Sequence, residues 1–209
     1  SSITFDLDHL VVSSDLEHCI KQGEIIILAI PSAFVYETFS DFDKDLFKDK
    51  LLVSAANGLI PETSEILGDY FKNHLKVDSD QIGVITGPCH AEEVALEKLS
   101  YLTAASENEN AAKTIASIFS GRFIKTSTTD DIYGTEYSAV LKNVYAIAAG
   151  ICHGLRFGDN FQAVLVSNAI REIKRFIAAV HPIERDIDDS AYLGDLVVTA
   201  YSQFSRNRT

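Results

Sequence analysis

One lysine sits where a charge is expensive. Lys142 falls within residues 134–150, GTEYSAVLKNVYAIAAG, among Val140, Leu141, Val144, Tyr145 and Ile147. The spacing predicts a helix that is apolar on nearly every side, and such a helix is expected to be buried. Ser138, Lys142, Ala146 and Gly150 recur every four residues and share one lane. Three of the four are small, which leaves room for something beside the ammonium. A buried lysine needs a partner or a lowered pKa, and an amine so placed can exchange a proton with a reacting oxygen. The competing reading is a stem that snorkels to the surface.

A second cluster closes the chain. Asp195 follows a glycine in an apolar stretch, as a helix cap or as the partner of a buried cation. Ser205-Arg206-Asn207-Arg208 then gathers two guanidinia, an amide and a hydroxyl, a donor set suited to phosphate. Set against it is a solvated basic tail. His18-Cys19, Cys89-His90 and Cys152-His153 pair thiol with imidazole, but no Cys-x-x-Cys or His-x-x-x-His spacing supports a metal site. The acidic runs 41–49 and 184–189 read as solvated surface.

These residues need elements to hold them. Apolar runs at 24–30, 51–55 and 81–86 read as buried parallel strands, with further strands at 100–106 and 122–126. Helical patterns intervene at 15–21, 32–39, 63–75, 91–97 and 111–119, which is βα alternation. Residues 3–12 give a short strand or loop. Pro31 ends the first main strand, and a ligand beside such a strand end is the usual α/β arrangement. Gly87-Pro88 opens the fourth helical stretch, whose free amides favour an anion near 87–91. From 131 the chain turns helical. Over 161–180, Ala163, Val166, Ile170, Ile173, Ile177 and Val180 form one stripe. The expected organisation is a partial Rossmann-type parallel-sheet domain over 1–130 and a helical domain over 131–209.

The 209 residues carry a net charge of −12, which argues against nucleic acid or an anionic membrane as the main partner. No apolar run approaches the ~20 residues of a membrane span. Three scattered cysteines point to free thiols in a reducing compartment. The chain starts at Ser1, contains no Met and has no Gly-x-Gly-x-x-Gly, so it reads as a piece of a longer protein whose pyrophosphate loop lies upstream.

Taken in order, Ile30-Pro-Ser32, Gly87-Pro-x-x-Ala-Glu-Glu93, Ala139-Val-Leu-Lys-Asn-Val-Tyr-Ala-Ile-Ala-Ala-Gly150, Gly154-Leu-Arg-Phe-Gly-Asp-Asn160, Leu193-Gly-Asp-Leu-x-x-Thr199 and Ser205-Arg-Asn-Arg208 resemble the bacterial-type NAD(P)-dependent sn-glycerol-3-phosphate dehydrogenases over nearly the whole chain. The resemblance implies reversible reduction of dihydroxyacetone phosphate for phospholipid synthesis, in the cytoplasm, with NAD or NADP, and leaves a homodimer open. By resemblance, Lys142 is the general acid/base at the C2 oxygen. Asn143, Asp195, Thr199, Ser205, Arg206 and Asn207 surround a small phosphorylated substrate, with Gly87 and Cys89 near it. Pro31, Phe34, Ala91 and Arg206 lie toward the cofactor. The chain departs from the family at Asn57, where a lysine is usual, and at Cys89, where Ser or Thr is common. Asn57 and the missing glycine loop favour a rival reading, a non-catalytic binding module on the same fold. A third is a related dehydrogenase acting on a different hydroxy acid.

Overall fold

The computed structural model describes residues 8–202 and Ser205. The pattern expected over residues 3–7 and the donors Arg206, Asn207 and Arg208 lie outside the described residues.

Short apolar runs form the strands β1 Ile25–Leu28, β2 Leu51–Ser54, β3 Ile82–Thr86, β4 Ser100–Ala105 and β5 Ile124–Thr129. The helices are α1 Leu16–Gln22, α2 Val35–Phe39, α3 Leu67–Asn73, α4 Ala91–Ala95, α5 Glu109–Phe119, α6 Ile132–Gly154, α7 Asp159–Val180 and α8 Asp195–Tyr201. All five strands join one sheet in sequence order, β1-β2-β3-β4-β5. Side-chain alternation gives the sheet two apolar faces. Leu52 packs with Leu28, Tyr70 and Phe71 on one side, while Val53 packs with Ile85, Ile115 and Ala116 on the other.

The parallel-sheet expectation holds for β1-β2, β2-β3 and β4-β5 and fails for β3-β4, which is antiparallel. Connection length explains the exception. The connection after β3 is residues 87–99, against 29–50, 55–81 and 106–123 between the parallel neighbours, and it holds only the five-residue α4. It cannot carry the chain back along the sheet, so β4 starts where β3 ended. The 11-residue α5 can, and β5 returns parallel to β4. α3 also starts later than its amphipathic pattern suggests. Ile60 bridges Glu65 and Ser64 takes a left-handed φ of 58°, which holds the preceding residues out of the helix.

The helical half corrects two further expectations. α6 is not buried all round: Val144, Ile147, Ile151 and, just past its end, Leu155 form an exposed apolar stripe at 57, 50, 58 and 61% exposure. The core-facing stripe of α7 consists of Gln162, Val166, Ala169, Ile173 and Ile177; Ala163 and Val180 face outward. That stripe packs with Ala149 of α6 and with Ile187, Ala191, Tyr192, Leu196 and Ala200. Among the described residues no helix is long and apolar enough to cross a membrane.

Candidate functional site

The four-residue lane of α6 faces α8. Ser138, Lys142 and Ala146 are buried along it. Across from Lys142, α8 begins with Asp195, and Lys142 Nζ donates to Asp195 Oδ2 at 2.5 Å. The lysine side chain is 10% exposed and the carboxylate 3%. The buried lysine has a carboxylate partner, and the snorkelling alternative is not realised. One turn along, Thr199 Oγ1 donates to the Asp195 carbonyl at 2.6 Å, which orients the hydroxyl on the same face.

The pair forms part of the wall of a cavity of about 450 Å³. Gly87, Cys89, Ala91, Asn143, Thr199 and Ser205 line it as well, so eight of the residues picked from sequence come together here. Pro31 and Phe34 are not part of the lining. Phe34 lies beyond the carboxyl end of β1 and is 56% exposed. Gly87 has φ +125° and its backbone passes so close to β4 that a Cβ would come within 2.7 Å of the Tyr101 carbonyl. Only glycine fits that position. Burial pushes the Cys89 thiol up, against an opposing hydrogen bond from Ser100, which favours its neutral form. Ser205 Oγ is buried and makes no hydrogen bond among the described residues. Lys142 is the only lysine or arginine in the described lining, and Glu92 adds a second acid beside Asp195.

Two acids near the start of α6 fix that helix in place. Asp131 caps it, accepting from Gly134 N–H at 2.9 Å. A Cβ on Gly134 would collide with the same carboxylate. Asp131 also accepts from Arg185 Nε at 2.6 Å, Arg185 Nη2 at 2.9 Å and the Tyr192 hydroxyl at 2.8 Å. Burial pushes its pKa up, but the guanidinium and phenol outweigh that and hold it below the usual range. Glu136, one turn on, reaches the other way and accepts from Gly68 N–H of α3 at 2.9 Å. Burial pushes its pKa up to about 8, only partly opposed by the Gly68 and Leu67 amides.

The sequence reading missed several of these residues. His90, Glu92 and Val198 line the cavity by following or preceding residues already chosen. Arg185 lies inside the 184–189 run assigned to solvent. The acids there are exposed, but the Arg185 side chain is 6% exposed and Ile187 is buried. The readable signal was Asp131-x-x-Gly134, a cap acid followed by the one residue that leaves room for its side chain.

Comparison with known proteins adds an independent line. The family described as "NAD-dependent glycerol-3-phosphate dehydrogenase" matches through its N-terminal part at residues 3–112 and its C-terminal part at 131–209. A glycerol-3-phosphate dehydrogenase [NAD(P)+] of Clostridium botulinum is 34% identical over 202 residues, covering 97% of this chain and 60% of the relative. Its counterpart from Syntrophotalea carbinolica is 36% identical over 203 residues, covering 97% and 61%. Among solved structures, a glycerol-3-phosphate dehydrogenase from Coxiella burnetii superposes with a TM-score of 0.85 at 28% identity, covering 93% of this chain and 59% of that one. The chain thus spans about 60% of the length of the curated relatives it matches.

Proposed function

Because the chain belongs to the NAD-dependent glycerol-3-phosphate dehydrogenase family, we propose that its cavity is the centre at which dihydroxyacetone phosphate and sn-glycerol 3-phosphate are interconverted. The observation that carries the reading is the buried Lys142–Asp195 pair in the cavity wall. A ketone oxygen placed beside Lys142 receives a proton from its ammonium as negative charge develops there, and returns it in the reverse direction. Asp195 holds the amine in one orientation and balances its charge, so the group is pre-aimed when substrate enters.

The remaining roles follow from position. Asn143, Thr199 and Ser205 offer an amide and two hydroxyls to the substrate. Gly87 brings backbone close to the substrate, and Cys89 closes the wall. Arg206 and Asn207 meet the phosphate, a task the described lining leaves to them because its lysine is already paired.

NAD or NADP supplies the hydride when bound. The parallel strand ends of β1 and β2 with the exposed Phe34 ring beyond them fit the nicotinamide end of such a cofactor. Pro31, Phe34, Ala91 and Arg206 would hold that end. The division at residue 130, the cytoplasmic location, the homodimer and the supply of glycerol 3-phosphate to phospholipid synthesis belong to the same proposal.

The test is oxidation of NADH and NADPH by the intact gene product with dihydroxyacetone phosphate, beside Lys142→Ala. Loss of about 100-fold or more in kcat is expected of a general acid/base. Asn57 in the lining favours the second reading, a binding module without turnover. Bound cofactor with no turnover in the parent protein would establish that reading instead.

A further inference from the structure

α8 packs on α6 through apolar side chains, which are non-directional, so the Lys142–Asp195 bond by itself must set the aim of the carboxylate. A second attachment lies about 16 Å away along α6, at Asp131. There the carboxylate takes two hydrogen bonds from Arg185 and one from Tyr192, and His181 Nδ1 stands 3.7 Å off. Arg185 Nη1 donates to the His181 carbonyl at 3.0 Å, which ties the guanidinium to the end of α7. Tyr192 lies within a π-helical turn, Ser190–Gly194, that runs into α8 at Asp195 with no intervening loop. Its first residue is fixed by the Asp189 carboxylate. A shift of the phenol is therefore passed along the backbone to Asp195, three residues on.

Stability alone is a poor reason for such an arrangement. A buried ion pair is often no more stabilising than apolar residues of the same volume, whereas its directional bonds fix geometry. We infer that Asp131, Arg185 and Tyr192 form a clamp that positions the Asp195 carboxylate and, through it, the Lys142 ammonium in the cavity. All three are positioning residues, since none lines the cavity. The inference rests on the proposed role of Lys142 for its catalytic consequence, but the geometric claim can be read without turnover.

The experiment uses the intact gene product as wild type, Tyr192→Phe, Arg185→Lys and Tyr145→Phe. Tyr145 is the control: it lies on α6 and its hydroxyl donates to Glu172 of α7 at 2.6 Å, away from the Asp131 cluster. Three readouts are taken: Tm, the acetylation rate of Lys142 by an acylating reagent followed by mass spectrometry, and kcat and KM for dihydroxyacetone phosphate. A displacement of the order of an ångström at a reacting group can cost about 100-fold. Tyr192→Phe is expected to lower kcat about 10-fold and Arg185→Lys about 100-fold, with KM changed less than about twofold and Lys142 labelled faster. Tyr145→Phe should lower Tm slightly and leave the labelling rate and kcat at their wild-type values. The clamp is refuted if Lys142 labelling stays at the wild-type rate in both clamp variants, or if it only tracks Tm as in Tyr145→Phe. Faster labelling in a protein that never turns over dihydroxyacetone phosphate keeps the clamp and removes the proposed function. Wild-type turnover with unresponsive labelling does the reverse.

Discussion

The two sides of the α6 N-terminus bury acids in opposite ways. Toward the segment 181–194, Asp131 is 2% exposed and meets a guanidinium, a phenol and an amide. Toward α3, Glu136 is 4% exposed and meets backbone amides, with the Asp69 charge nearby. The first stays ionised below its usual range and the second is pushed to about 8. Two acids closed to water thus differ in charge state, because Glu136 lies deeper and meets only amides where Asp131 meets a guanidinium and a phenol. One side is an ionic anchor. The other is a contact whose strength depends on pH.

The largest effect should come from breaking the ionic side. Asp131→Ala strands the buried Arg185 guanidinium and removes the helix cap, and is expected to cost about 3–5 kcal/mol in urea unfolding at pH 7. Glu136→Gln sharpens the other side. Because the folded pKa lies above the unfolded 4.5, the contribution of Glu136 is fully present below about pH 4.5 and is lost as pH rises through about 8. Wild-type stability should therefore fall by the order of a few kcal/mol across that window. In denaturation curves taken at several pH values, the Gln variant should lack that part of the slope. Gly134→Ala pushes a methyl into the Asp131 carboxylate; a lost cap costs about 0.5–2 kcal/mol, readable as a lower Tm. The smallest change is Tyr145→Phe, which removes a half-exposed hydrogen bond and should cost about 1 kcal/mol or less by the same unfolding measurement.

What could be read from sequence follows from how local each signal is. The strands β1, β2 and β3 are continuous apolar runs, and the Lys142 lane is a spacing on one helix, so both were legible. Eight of the chosen residues meet in one cavity because they sit on a glycine turn and on helix faces that family motifs mark. The direction of β4 was not legible, because α4 and α5 look alike as amphipathic patterns and differ in length. The outward face of α6 was not legible either. Val144, Ile147 and Ile151 are as apolar as the buried Ala146 and Ala149, and composition cannot tell which face meets α7. Arg185 was hidden by its neighbours: four acids within six residues advertise solvent, while the guanidinium turns inward to an acid 54 positions earlier.

That separation has a temporal side. Lys142 and Asp195 are 53 residues apart in the chain. At a synthesis rate of 5–20 residues per second, roughly 3 to 10 s pass between the appearance of the ammonium and that of its counter-ion. Throughout that interval the lane of α6 has no partner for its charge, and water must keep it. Docking of α8 is therefore the step that brings the ammonium its counter-ion and closes water off from the pair.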